Sequence, residues 1–188
     1  NEKTEIHNAD DKDTKKENVS VIEEEKNSNP ISPKPQEVRA FPGAEGYGAN
    51  AIGGRGGRVI EVTNLNDDGK GSLRSALESR GPRIVVFRVG GTINLTDEIV
   101  IRNPYLTIAG QTASGDGITI KGAGLNIMTS NVIIRGLRIR VGDGEAGPDK
   151  HNRDNMRVIG WRREVSDVII DHCSFSWGID ENVSIYRH

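Results

Sequence analysis

The sequence predicts an all-β protein that folds as a coiled β-solenoid, and three observations carry this prediction. Residues 131–140 and 167–176 share one design, and residues 105–110 repeat its opening more weakly. Such short strands, repeated at intervals of tens of residues, are typical of solenoids. The chain contains 23 glycines and only 4% aromatic residues, which favours many tight turns. No amphipathic helix of useful length follows residue 80, and this argues against an alternating α/β sheet.

The two long repeats also predict where the solenoid turns a corner. Each begins with a polar residue and a β-branched run, and each then reaches a polar pair, Arg135-Gly136 in one and Asp171-His172 in the other. After the pair the apolar positions change parity, and they are Leu137, Ile139, Cys173 and Phe175. Because strand side chains alternate between faces, a parity change at equivalent positions indicates equivalent corners.

Bulk properties narrow the class of protein. A length of 188 residues suffices for one domain with a real core, and a net charge of -2 gives no reason to expect nucleic acid as a partner. The single cysteine, Cys173, excludes a disulfide framework and is predicted to be a small core residue. No apolar run is long enough to span a bilayer. The chain begins with Asn1 rather than Met, which indicates a mature form or an excised fragment.

Residues 1–38 are predicted to be a disordered polar linker, and residues 39–188 form the folded domain. The tract is rich in charged residues and ends in a proline-rich spacer, with an interaction tail as the alternative reading. Two glycine-dense stretches follow, at 41–49 and 53–57. They do not join a strand to a helix as a phosphate-binding loop would, so we expect a loop packed closely against the end of the fold.

A strand at 58–63 and a short helix open the domain. Ser72 is a suitable N-cap, and Gly81 and Pro82 end the helix after about Ser79. A lone helix before a solenoid is predicted to cap its apolar end. Short strands separated by Gly, Asn and Asp are predicted at 84–89, 92–95, 98–101, 106–109, 118–121, 125–128 and 155–159.

Polar residues near two of these strands form a candidate cation site. The polar insertion 142–153 is expected to project from the solenoid and to leave Asn152 and Asp154 on a turn, pointing outward. One coil later, Asp180 and Ser184 also point outward if their segment is extended. Oxygen ligands from two stacked coils suit a hard cation such as calcium, whereas spacing alone favours solvated turn acids.

Other polar groups admit a functional and a structural reading. Asp180 and Glu181 resemble a hydrolase pair, but neighbours in a strand point to opposite faces. His172 is a candidate general base, although its place beside Asp171 favours a hydrogen-bonded structural pair. Seven arginines either hold carboxylates or form a solvated surface, and they are Arg135, Arg138, Arg140, Arg153, Arg157, Arg162 and Arg163.

Residues 168–176, 131–137 and 41–46 together resemble the pectate lyases, and the resemblance extends over residues 40–188. It implies a right-handed parallel β-helix, and the short helix predicted above would cap its N-terminal end. It also implies a secreted enzyme that cleaves polygalacturonate by calcium-dependent β-elimination. A non-catalytic polysaccharide-binding or adhesin β-helix and a galacturonan hydrolase on the same scaffold are the alternatives. We expect a monomer without a nucleic-acid partner or a membrane span.

The resemblance also implies a calcium site, from which this sequence departs at two positions. The family has one pair of acids at the positions of Asn152 and Asp154, and a second pair at the positions of Asp180 and Ser184. Here Asp154 and Asp180 are carboxylates, whereas Asn152 supplies an amide and Ser184 a hydroxyl. Fewer carboxylates should weaken calcium binding. We therefore expect the carboxylate of the substrate to complete the shell.

The family's catalytic arginine is expected on a later coil, beyond His188. The catalytic base and the substrate-binding residues are therefore left unassigned. We expect the chain to be an N-terminal fragment of a lyase, truncated at its C-terminus, and to be inactive and poorly stable alone.

Overall fold

The computed structural model describes residues 38–145, 147–161 and 164–186. The predicted linker lies outside the described residues except for the exposed Val38, so it stays a prediction. The elements are β1 (Arg58–Val62), α1 (Leu73–Glu78), β2 (Arg83–Phe87), β3 (Gly91–Asn94), β4 (Ile99–Ile101), β5 (Leu106–Ala109), β6 (Ile118–Lys121), β7 (Leu125–Ile127), β8 (Val132–Arg135), β9 (Leu137–Arg140), β10 (Met156–Ile159), β11 (Val168–Asp171), β12 (Ser174–Phe175) and β13 (Val183–Tyr186). Two 3-10 helices lie at Gly110–Thr112 and Lys150–Asn152.

The strands form three parallel sheets, and successive coils contribute one strand to each. Sheet A has the order β1-β2-β5-β8-β11, sheet B the order β12-β9-β6-β3, and sheet C the order β13-β10-β7-β4. The chain therefore passes from A to B to C and then begins the next coil. This is a parallel β-helix, and the predicted fold class is confirmed.

Aliphatic side chains fill the coil interior because the strands stack in register. Each coil places its inward residue directly over the inward residue of the coil before. The stacked pairs include Val132 over Leu106, Ile139 over Ile120, and Met156 over Leu125. All of these side chains are fully buried. Burying one such side chain stabilises the fold by about 1.5–3 kcal/mol, so these columns are the main source of stability.

The corner between sheets A and B lies where the parity change predicted it. Strand β8 ends at Arg135 and β9 begins at Leu137, with Gly136 between them at a φ of 68°. A Cβ atom on Gly136 would lie 2.7 Å from the backbone nitrogen of Gln111, so only glycine fits there. In the next coil His172 turns the same corner at a φ of 49°, a conformation that costs a non-glycine residue about 1 kcal/mol.

Helix α1 covers the first coil, as predicted. Its N-cap is Ser72, whose Oγ accepts a hydrogen bond from the backbone nitrogen of Ser75 at 3.2 Å. The face formed by Leu73, Ala76 and Leu77 is buried, and the helix packs against β4 and β1. The helix thereby covers the apolar interior of the first coil, which would otherwise contact water.

Arg83 joins the helix to the coils from inside the solenoid. It occupies the first inward position of β2, in register with Leu106, and it is fully buried. Its guanidinium donates to the carbonyl oxygens of Ala76 at 3.2 Å and Leu77 at 2.6 Å, and also to that of Asn103. The first two carbonyls belong to the C-terminal half of α1, where a positive charge is favourable.

The glycine-dense segment, residues 40–57, crosses the outer face of sheet A, and we call it the strap. The backbone nitrogen of Gly54 donates to Thr107 Oγ1 at 2.9 Å. A Cβ atom on Gly48 would lie 2.2 Å from the carbonyl oxygen of Val168, so the two backbones approach closely. The expectation that this loop packs against the end of the fold is therefore wrong. It lies along the side because its glycines let it follow the sheet backbone.

Strand β13 forms the edge of sheet C in the described part of the chain. Register places Val183 beside Met156 and Ile185 beside Val158, so both face inward, as predicted. They are nevertheless 43% and 64% exposed, because no further described strand pairs with β13.

We expect Arg83→Met to lower the free energy of unfolding by roughly 3 kcal/mol, because several buried carbonyls lose their donor. Denaturant unfolding of the chain measures the loss. Arg102→Met is the matched control, since Arg102 is exposed, and a change within about 0.5 kcal/mol is expected there. Equal effects of the two substitutions would contradict the role of Arg83.

Candidate cation site

The loop between sheets B and C in the third coil is fixed by an arginine. It covers residues 142–153 and ends in the 3-10 helix Lys150–Asn152. Arg153, which is 4% exposed, turns back into it. The guanidinium donates to the carbonyl oxygens of Pro148 and Gly144, both at 2.7 Å. Arg153 therefore ties the end of the loop to its beginning, and the projection of the loop from the solenoid stays a prediction.

Asn155 joins this turn to the next coil. Its side chain is fully buried, and its Oδ1 accepts from the backbone nitrogen of Val141 at 3.0 Å. Its Nδ2 donates to the carbonyl oxygen of Ser176 at 3.0 Å and to Asn182 Oδ1 at 2.7 Å. The predicted strand included Asn155 without assigning its side chain a role. A signal was present, because an asparagine directly precedes the apolar strand in two successive coils.

Asp154 is buried rather than solvated, contrary to the expectation for a turn acid. Its side chain is 3% exposed. Its Oδ1 accepts from the backbone nitrogen of Glu181 at 2.8 Å, and its Oδ2 lies 3.2 Å from Arg157 Nε. Because Asn155 holds the two coils together at this point, the carboxylate of Asp154 is directed at the next coil.

Three carboxylates converge at this turn, those of Asp154, Asp180 and Glu181. One oxygen from each lies within 4.8 Å of the others. Oxygens on opposite sides of a calcium ion, at 2.3–2.6 Å from it, would lie about 5 Å apart, so the spacing fits a hard cation. A hydrogen bond with Asp154 raises the pKa of Glu181, and the negative charges of Asp180 and Asp154 raise it further. A bound cation would offset this repulsion.

The expectation that Asp180 and Glu181 point apart is wrong. It assumed an extended segment, but β13 begins only at Val183. The preceding residues form a turn in which Asn182 Oδ1 accepts from the backbone nitrogen of Gly178 at 3.2 Å. The side chain of Asn182 also accepts from Asn155, although the residue stays exposed. Because the backbone turns here, neighbouring carboxylates can reach the same point.

Asn152 and Ser184, the two predicted non-carboxylate ligands, lie on either side of the cluster in sequence. Asn152 ends the 3-10 helix and is exposed. Ser184 is in register with Arg157 on the outer face of sheet C, as predicted. Its Oγ is buried, and in the described residues it has no hydrogen-bond partner. Their roles as ligands stay predictions.

Arg157 is a fixed cation beside the cluster. Besides Asp154, it contacts Asn126 Oδ1 at 2.8 Å and forms an ion pair with Glu98. Burial raises the pKa of Glu98, and the charge of Arg157 opposes that rise. The two paired side chains are 13% and 18% exposed, so Arg157 is committed to internal partners.

The other described members of the predicted arginine cluster also contact neighbouring residues. Asp171 is the partner of Arg135, Thr119 that of Arg138, and Ser174 that of Arg140. Arg162 and Arg163 lie outside the described residues. Arg135 and Arg157 thus hold carboxylates of the chain itself, and the guanidinium groups of this cluster connect successive coils.

His172 forms the predicted structural pair with Asp171. Its Nδ1 lies 2.8 Å from Asp171 Oδ2, and Arg135 Nε lies 2.7 Å from the same oxygen. Arg135 also lies over the ring of Phe41, 4.0 Å from its centroid. Burial tends to raise the pKa of Asp171, but the hydrogen bonds from Arg135 and His172 outweigh it and lower that pKa.

Fold and site together define a parallel β-helix with an oxygen-rich turn between its second and third sheets. The crystal structure of jun a 1, the major allergen from cedar pollen, matches with a TM-score of 0.60. That match covers 74% of this chain and 44% of the allergen at 22% identity, so it supports the fold alone. No protein-family model matches the chain.

Sequence relatives confirm the resemblance to pectate lyases. A probable pectate lyase C of Aspergillus flavus is 50% identical over 147 residues, which is 78% of this chain and 33% of that protein. Its counterpart in Emericella nidulans is 51% identical over 148 residues, covering 78% and 32%. Probable pectate lyase 18 of Arabidopsis thaliana is 36% identical over 154 residues, covering 71% and 35%. The chain thus spans about a third of the length of these curated relatives.

We expect Asp171→Asn to lower the melting temperature at pH 7 by roughly 2–4 °C. Because folding lowers the pKa of Asp171, its ionised form stabilises the fold above the unfolded value of about 3.9. That contribution is lost as the pH falls through the folded pKa. The difference between the two proteins should therefore vanish in acid.

Thermal unfolding between pH 7 and pH 2 checks this. Asp116→Asn is the matched control, because Asp116 is exposed. A difference that persists unchanged in acid would show that charge is not the source of the effect.

Proposed function

We propose that the protein is a pectate lyase that cleaves polygalacturonate by calcium-dependent β-elimination. The observation that carries the proposal is the convergence of Asp154, Asp180 and Glu181 at one turn. It occurs in a chain half identical to proteins named pectate lyase. An acidic cluster would repel a polyuronate by itself, so a bridging cation is needed for such a substrate to approach.

Asp154, Asp180 and Glu181 would hold the calcium ion, with Asn152 and Ser184 as candidate neutral ligands. When bound, calcium neutralises the uronate carboxylate and stabilises the charge that develops on it when the neighbouring proton is removed. Asp154 is suited to anchor the site because it is buried and fixed by the backbone of the next coil. Asp180 and Glu181 are exposed and so can contact solvent and substrate.

Arg157 has a structural role in this proposal rather than that of the base. Its guanidinium is paired with the carboxylates of Asp154 and Glu98, which favours the protonated form. It holds Asp154 against the turn and lowers the net negative charge there. Calcium affinity should accordingly be modest, and the substrate carboxylate is expected to complete the coordination.

The two alternative functions differ from lyase action in their products. Clustered carboxylates are also the catalytic groups of a galacturonan hydrolase. Such an enzyme would cleave the glycosidic bond with water and leave saturated ends. A binding or adhesin β-helix would retain polygalacturonate without breaking it. The names of the relatives favour the lyase.

An extracellular location follows from the proposed substrate. Polygalacturonate is a charged polysaccharide that does not cross membranes, so the enzyme would meet it outside the cell. Across the described ranges, no helix combines the length and apolar character needed to traverse a bilayer. We further propose that the protein acts as a monomer.

We expect the natural protein that carries this sequence to release unsaturated products from polygalacturonate in the presence of calcium. Ultraviolet absorbance of the new double bond measures the reaction, and a chelator should abolish it. Asp154→Asn should lower the rate by about 100-fold or more, since it removes the buried ligand. Saturated reducing ends without ultraviolet absorbance would instead identify a hydrolase, and retention without cleavage would identify a binding protein.

We also expect the chain itself to bind calcium through the cluster. Glu181→Gln should weaken binding about tenfold and Ser184→Asp should strengthen it, because affinity follows the number of carboxylates. Calorimetric titration with calcium measures both. Asp68→Asn, at an exposed position, is the matched control and should change nothing. Undiminished binding by Glu181→Gln would remove Glu181 from the ligand set.

A further inference from the structure

An exposed tryptophan is held rigidly beside the cation site. Trp177 follows β12, is 72% exposed and has a φ of 60°, which is uncommon for so bulky a residue. Its carbonyl oxygen accepts from the backbone nitrogen of Gly142 at 2.9 Å, and Gly178 is held by Asn182. In the part of the chain that the structure describes, the indole nitrogen makes no hydrogen bond. Strained, exposed residues on a fixed backbone are common at ligand-binding sites.

A depression of about 430 Å³ lies against this indole. It is lined by Trp177, Ile179, Gly142 and Asp143. The backbone nitrogen of Ile179 donates to the carbonyl oxygen of Arg153 at 3.1 Å. The residues that follow Ile179 and Arg153 in the chain, Asp180 and Asp154, are members of the acidic cluster. The depression and the cation site are therefore contiguous.

The lining of the depression suits a sugar ring that carries no charge. An indole face and the aliphatic side chain of Ile179 can pack against the C–H face of a pyranose. Asp143 is exposed and can accept hydrogen bonds from sugar hydroxyls. The charge of Asp143, with that of Asp180 close by, disfavours a free uronate at the same place.

We propose that this depression is a subsite for an uncharged galacturonate unit, that is, a methyl-esterified one, next to a cation site that takes a free uronate. The inference rests on the proposed function, since it assumes a galacturonan as the ligand. It assigns Trp177 as the stacking platform and Asp143 as the residue that excludes the charged form. The protein would then prefer partly esterified chains to fully de-esterified ones.

Binding to the chain without calcium tests the subsite alone. The sequence contains two tryptophans, so in a Trp161→Phe background the fluorescence reports only Trp177. Methyl-esterified trigalacturonate and the free acid are titrated in chelator. We expect a saturable change in emission and about tenfold tighter binding of the ester, a factor that corresponds to about 1.4 kcal/mol.

Two substitutions separate the assigned roles. Trp177→Ala, followed by calorimetry, should weaken binding of the ester about tenfold, as loss of one stacking contact does. Asp143→Asn should tighten binding of the free acid and so reduce the preference for the ester. Asp116→Asn is the control for removing a surface charge, and circular dichroism with thermal unfolding confirms that each variant folds.

No saturable change in emission, equal affinity for the two trisaccharides, or undiminished binding by Trp177→Ala would overturn the proposal. Lyase activity is measured separately, with calcium and the natural protein. Ester-selective binding without lyase activity would support the subsite and refute the proposed function. Lyase activity without ester selectivity would refute the subsite alone.

Discussion

Every feature of this protein depends on each coil returning to the register of the coil before it. Backbone hydrogen bonds join the parallel strands, but the inward side chains fix which residues align, as Met156 does between Leu125 and Val183. A shift by one residue would expose every inward aliphatic side chain of a strand. The same constraint applies at the corners, where Gly136 fits and a larger residue would meet the backbone of the neighbouring coil.

The candidate cation site depends on that register, because it lies at a turn where polar side chains rather than aliphatic ones join two coils. Asn155 is bonded to Asn182 in the following coil, as stacked core residues are packed against one another, but through amide groups. This contact brings the preceding acid, Asp154, against the backbone of Glu181. Arg157 then limits the charge that accumulates there. The site therefore needs no dedicated scaffold beyond the repeating coil.

The coils could be predicted from the sequence, but the conformation of the turn that carries Asp180 and Glu181 could not, for a physical reason. Strand parity is a local property, so the corner at Gly136 and the cap at Ser72 could be read from neighbouring residues. The placement of Glu181 could not, because it depends on where the backbone stops being extended. Arg83 was missed for a related reason. A charged residue at an inward position looks like an exception until the carbonyls of the adjacent helix are seen around it.

The strap affects how cooperatively the solenoid should unfold. In a simple repeat protein each unit touches only its neighbours, so the ends can fray one unit at a time. Here one segment contacts Thr107 in one coil and Val168 two coils further on. If one of these coils unfolded, the strap would lose contacts that also hold it against the other coils. The chain should therefore unfold as one cooperative unit, and because the strap's contacts span so much sequence, it should dock late in folding.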